Sequence, residues 1–200
     1  MIEPAQLAAT RAPEWMAAEM PPGYRTRLLE IQRLSADLHA MDAIGQVLWG
    51  TGEPLREALA RVFGELKCEV DAGAGADAGR PITVHLDESR RLLLLVSDAP
   101  GPIDKTGEGI TRAFQAVQFA EDGDCVVFVA HTQAAAPPAE RADAVLPDAL
   151  ALLERMGVVV VATATIFRLW RLSLEDPLKA RKALDRLHEQ DGGLFVLQPR

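Results

Sequence analysis

Ile82-Thr83-Val84-His85-Leu86, then Asp87-Glu88-Ser89-Arg90, then Leu92 to Val96 form the stretch on which the fold turns. The first five residues alternate apolar and polar, as a half-buried strand does, and the next four are turn formers. The run from Leu92 to Val96 is apolar at every position, which predicts a strand covered on both faces and so central in a sheet. A hairpin leading into a central strand needs helices above and below it. The flanking sequence supplies them.

Downstream, Ala99-Pro100-Gly101-Pro102 stops the strand. A helix is expected from Gly107, with Ile110, Phe114, Val117 and Phe119 inward, and Asp122-Gly123-Asp124 turns it into the strand Cys125 to Val129. That pair reads as a crossover unit. A loop from Thr132 to Ala144 leads to Pro147, which opens a helix carrying Leu150, Leu153 and Met156 that Gly157 ends. Val158 to Val161 is a second fully buried strand. Ile166 to Leu172 is helical with Thr165 as its cap, Asp176-Pro177 caps a last helix carrying Leu178, Leu184 and Leu187, and Gly192-Gly193 precedes the apolar tail Leu194 to Leu197.

Upstream, Cys68-Glu69-Val70 is a short strand, and Asp71 to Gly79 a Gly- and Ala-rich hairpin loop. Gly73, Gly75 and Gly79 have the wrong spacing for a dinucleotide loop, and a strand rather than a helix follows them. Leu55, Leu59, Val62, Phe63 and Leu66 line one face of a helix opened by Pro54. Ahead of it, residues 24–48 form a long amphipathic helix, with Ile31, Leu34, Leu38, Met41 and Leu48 at steps of three and four or their sums. Its stripe fits either its own domain or a two-helix seam between subunits. Residues 1–23 read as an irregular lead-in, within which Trp15 is an exposed anchor; Trp49 and Trp170 read as core. The fold class is α/β with a mixed sheet, and residues 49–200 form the α/β domain with its C-terminal helices.

The chain has 200 residues, 48% hydrophobic and 25% charged, enough for one domain with appendages. A net charge of −8 repels phosphate backbones and disfavours nucleic acid as a partner. Cys68 and Cys125 have neither zinc spacing nor disulfide density and read as buried apolar residues. The start, Met1-Ile2-Glu3-Pro4, lacks the basic and apolar regions of a secretion signal, and no run is long enough to span a bilayer, so a cytoplasmic location is expected.

Several constellations carry no chemistry. Asp104-Lys105-Thr106-Gly107 imitates a phosphorylated-aspartate motif, but two prolines and a glycine separate it from the strand. His39, His85, His131 and His188 lie on different elements without metal-ligand spacing, although His131, closing a central strand, and Arg141 after it are candidates for a cleft. Arg168, Arg171, Lys179, Arg181, Lys182 and Arg186 alternate with acids as on a solvated face.

The element order, with the helix after Trp49-Gly50-Thr51-Gly52, the strand Leu92 to Val96 running into Gly101-Pro102-Ile103, the strand Val126 to Val129 followed by Pro137-Pro138-Ala139-Glu140-Arg141, and Thr165-Ile166-Phe167-Arg168-Leu169, resembles the restriction-endonuclease-like fold of the PD-(D/E)XK nuclease superfamily over about Leu48 to Leu172. The resemblance implies a three-layer core with a mixed sheet. In active members an acid near the second strand and an acid-x-lysine on the third hold a divalent ion, because hard Mg²⁺ takes anionic oxygen and lowers the pKa of its water. Matching Gly101-Pro102-Ile103 to the glycine after that motif puts the acid position on Leu95, the lysine position on Ser97 and the first acid near Val84 or His85. The resemblance therefore implies a degenerate member with no metal or other cofactor, working through a protein partner or a small ligand; the apolar stripe of residues 24–48 adds the expectation of a homodimer. The alternative is a Mg²⁺-dependent nuclease using Asp87, Asp98, Lys105 and Glu108. Its weakness is that Asp98 and Lys105 are not at the i, i+2 spacing that shares a strand face.

Overall fold

The computed structural model describes residues 19–73 and 80–197; the lead-in up to residue 18, Trp15 and most of the Gly-rich loop lie outside them. The elements are α1 (Tyr24–Trp49), α2 (Gly52–Glu65), β1 (Glu69–Asp71), β2 (Ile82–His85), β3 (Arg91–Ala99), α3 (Glu108–Phe119), β4 (Asp124–Thr132), α4 (Pro147–Arg155), β5 (Val159–Ala162), α5 (Thr163–Glu175), α6 (Pro177–His188) and β6 (Gly193–Leu194). The chain divides into two units, residues 1–42 and 43–200.

In the second unit the strands form one sheet in the order β1-β2-β3-β4-β5-β6, antiparallel from β1 to β3 and parallel from β3 to β6. The sheet is mixed, as the hairpin and the buried runs require. Alternation along the strands sends Leu92, Leu94, Val127, Val129, Val159 and Val161 to one face, under α2, α5, α6 and the end of α1. It sends Leu95, Val126, Phe128 and Val160 to the other, under α3 and α4. Three layers result.

The β3 to β4 and β4 to β5 connections step the same way across the sheet through α3 and α4 on one face. From β5 to β6 the chain takes a further step in that direction through α5 and α6 on the opposite face, so this connection has the opposite hand. Parallel crossovers share one hand in about 98% of cases. Here β6 pairs over two residues only, Gly193 and Leu194, so little ladder depends on the unusual hand.

Local chemistry sets the joints. Gly123 turns α3 into β4 at φ +90°, and a Cβ there would lie 2.1 Å from the Ser89 carbonyl. Arg91 locks the same corner, with Nε 2.6 Å from Asp124 and an Nη 2.7 Å from Glu121. Asp176 caps α6 by accepting from the Lys179 N–H at 3.0 Å. Cys68 and Cys125 are buried free thiols, and burial pushes Cys125 up to about 11.

Several expectations need correction. Phe114 and Phe119 face solvent, and α3 buries Gly109 and Ala113 beside the expected Ile110, because the helix must come close to Phe128. Trp49 is 61% exposed, since the inward positions of the last α1 turns belong to Ile44 and Val47. Leu178 is exposed in the first turn of α6. Thr165 does not cap α5; the helix starts at Thr163 after Ala162, which offers no capping side chain. β3 and β4 run on to Ala99 and Thr132, and part of the tail is a sixth strand. Among the described residues no helix is long and apolar enough to cross a membrane.

Candidate functional site

A cleft of about 570 Å³ opens where β3 ends. Its floor is Val96 to Ala99; the start of α2 (Gly52, Glu53, Arg56) forms one wall, and Pro102 to Asp104 with the first turn of α3 and Arg112 the other. Gly109 brings α3 this close to the sheet: a Cβ there would sit 3.0 Å from the Phe128 ring and 3.1 Å from Ser97 Oγ. The cleft therefore owes its shape to a missing side chain.

Most of its charges are already met. Asp98 accepts a 2.7 Å hydrogen bond from the Gly52 N–H and so caps α2 from another strand. Arg56 lies 3.8 Å from Glu53 and donates to the Ala72 carbonyl at 3.1 Å. Asp104 accepts from the Thr106 N–H and hydroxyl at 2.8 and 2.7 Å, which holds its carboxyl below the usual range. Arg112 donates to the Val96 carbonyl at 2.9 Å and keeps a buried Nε without a partner. Glu108 stands in the first turn of α3. The described lining contains no His, Lys or Cys, and among the described residues no three His, Cys, Asp or Glu converge as metal ligands. With four carboxylates and two guanidiniums in its lining, such a groove suits polar recognition.

The structure distributes the other expected residues widely. Leu95 is buried among Val126, Phe128 and Ile110. Ser97 reaches the cleft floor, whereas His85 pairs with Arg91 across the hairpin, six residues along β3 from Ser97. Asp87 sits in the β2–β3 turn at the far end of β3 from Asp98, bound to Arg90 Nε at 2.6 Å, which with the Ser89 N–H depresses its carboxyl strongly. Lys105 faces Asp148 at 3.6 Å and is not part of the lining. Of the four residues of the nuclease alternative, Asp98 and Glu108 share the cleft.

His131, a cleft candidate, is 1% exposed at the end of β4. It lies beside Asp98 in the β3–β4 register, and its Nδ1 is 2.8 Å from Thr163 Oγ1. Burial first, then the Arg141 charge, push its pKa down, while Asp98 and the Gly50 carbonyl oppose. Nε2 has no aligned hydrogen-bond partner, while Nδ1 and the Thr163 hydroxyl share one. Arg141 donates to the carbonyls of Ala136, Ala134 and Leu48, tying the long loop to the end of α1, and lines a second cavity beyond β4 and β5.

Arg56 and Arg112 went unnoticed in the sequence. Arg56 had a signal: it occupies an inward position beside Leu55 and Leu59, where only a neutralised or hydrogen-bonded arginine fits. No family model, no curated protein and no solved structure matches this chain.

Proposed function

We propose that this chain is a non-catalytic binding module of restriction-endonuclease-like build that pairs with a second copy of itself through residues 24–42. The observation that carries the pairing is the exposure of Ile31 (56%), Leu34 (52%), Leu38 (50%) and Met41 (56%) at alternating steps of three and four. Those steps place them at successive a and d positions of a heptad, the seam by which one helix packs against another like it. Charge favours an antiparallel pair. Arg25, Arg27 and Arg33 lie toward the N-terminal end and Asp37 and Asp42 toward the C-terminal end, with Glu30 as the exception, so opposed helices bring opposite charges alongside.

The helix, three-strand meander, helix and parallel strand from α2 to β4 follow the order of the resembled superfamily, which supports that build. Leu95 and Ser97 stand where the resemblance implies an acid and a lysine, and Asp98 is engaged with the α2 N-terminus. The β3-end cleft is then the place for a protein segment or small ligand.

Sedimentation equilibrium tests the pairing: the wild-type chain is expected to be a dimer at tens of micromolar and the double variant Leu34→Asp/Leu38→Asp a monomer. A wild-type monomer overturns it. For the non-catalytic half, melts with and without millimolar Mn²⁺ are expected to coincide; an upward shift that Asp98→Ala abolishes would instead support a rearranged metal site.

A further inference from the structure

The second cavity, of about 350 Å³, opens where the chain leaves β4 and β5. After β4 the chain turns to the face of α4; after β5 it turns at once to the face of α5. The two exits diverge, and the gap between them is the crevice beyond the carboxyl ends of parallel strands where open α/β sheets hold ligands. Its size is at the small end of ligand pockets, and Val145, Leu150, Val160 and Phe195 give it apolar walls.

Its polar end is positive. The Arg141 guanidinium donates only to neutral carbonyls, of Ala136 at 2.9 Å, Ala134 at 3.5 Å and Leu48, and no described carboxylate pairs with it. Asp143 is the acid on the rim, and it is exposed. Thr163, Ala164 and Thr165, the first turn of the 13-residue α5, line the same space without a capping side chain. An uncompensated cation and a helix N-terminus together favour an anion, and the apolar walls favour a hydrocarbon body.

The geometry points to a binding site for a small organic carboxylate, its anionic end toward Arg141 and the start of α5 and its aliphatic or aromatic body against Leu150, Val160 and Phe195. The site is independent of the helix pairing proposed above, so either can fail alone.

Calorimetric titration of the full chain with benzoate, benzyl alcohol and inorganic phosphate tests it. Benzoate is expected to bind at least about tenfold more tightly than benzyl alcohol, the size of one charge-assisted contact. Ala162→Met fills the cavity and is expected to abolish benzoate binding while leaving the circular dichroism spectrum intact. Arg141→Gln is expected to equalise the acid and the alcohol; should that variant not fold, Ala162→Met still decides. Equal affinity for acid and alcohol in the wild type, phosphate binding as tightly as benzoate, benzoate binding unchanged in Ala162→Met, or no heat up to about 10 mM benzoate would each overturn the site.

Discussion

The two parts of α1 have the same kind of sequence and opposite environments. From Ala43 on, Ile44 is 6% exposed and Val47 fully buried under the sheet's first face; before it, Ile31, Leu34, Leu38 and Met41 are each half exposed or more. Ile44 and Val47 are three apart and the exposed set alternates threes and fours, so both follow helical spacing. Periodicity therefore specifies an apolar stripe but not what covers it. In residues 43–49 the cover is this chain's own core, and in residues 24–42 the proposed cover is a second copy.

The sharpest way to break that contrast is to charge the stripe. Leu34→Asp/Leu38→Asp places four carboxylates in the seam of a pair, and dimers are expected to disappear at any concentration that leaves the wild type associated. A variant that still sediments as a dimer would relocate the interface. Next in size is Ile44→Ala, which opens a hole in a packed core and is expected to lower unfolding free energy by about 2–5 kcal/mol in urea. Leu38→Ala, measured on monomer at high dilution, should stay within about 0.5 kcal/mol of wild type, as exposed substitutions do. A large loss from Leu38→Ala in the monomer would mean that its own chain covers it.

A smaller effect is expected where the start of α2 meets the sheet. Asp98→Ala removes the acceptor of the Gly52 N–H, and loss of a capping carboxylate costs about 0.5–2 kcal/mol. A neutral result would show that water replaces the carboxylate there and would free Asp98 for other work in the cleft.

How much of this was legible in the chain follows from what each signal reports. Turn and cap chemistry is local, so Gly123, Gly157 and Asp176-Pro177 placed element ends well. The apolar runs Leu92 to Val96 and Val158 to Val161 placed the central strands, because burial on both faces leaves a run with little alternation. Helix faces with competing apolar choices were less legible. Along α3 the small residues Gly109 and Ala113 face inward because the sheet is too close for Phe114, a distance that no periodicity encodes. The cleft was half legible: Asp98, Glu108 and Ser97 were marked through the resemblance and its shifted frame, but Arg56 and Arg112 come to it from two helices that only the fold brings together. Arg141 was marked as a cleft residue for its place after β4, yet its three carbonyl partners depend on how the loop folds back.

His131 was marked for the same reason, and it gives the smallest and most discriminating prediction. Its ring is held in the neutral form by burial and by the Arg141 charge, against the pull of Asp98 and the Gly50 carbonyl. The unfolded chain takes up a proton as pH falls through about 6.5, the ordinary histidine value, while the folded chain resists until lower pH. The stability conferred by the neutral ring is therefore complete above that value and is lost as pH falls through the folded-state pKa. Asp87, Asp104 and Asp176 are depressed carboxylates whose contribution is lost only below about pH 4, outside this window. Urea midpoints measured between about pH 7.5 and about pH 5 should fall for the wild type and fall less for His131→Gln, which cannot take up the proton. Parallel slopes in the two proteins would mean that the folded ring takes up its proton at the ordinary histidine value, with the pull of Asp98 and the Gly50 carbonyl cancelling burial and the Arg141 charge.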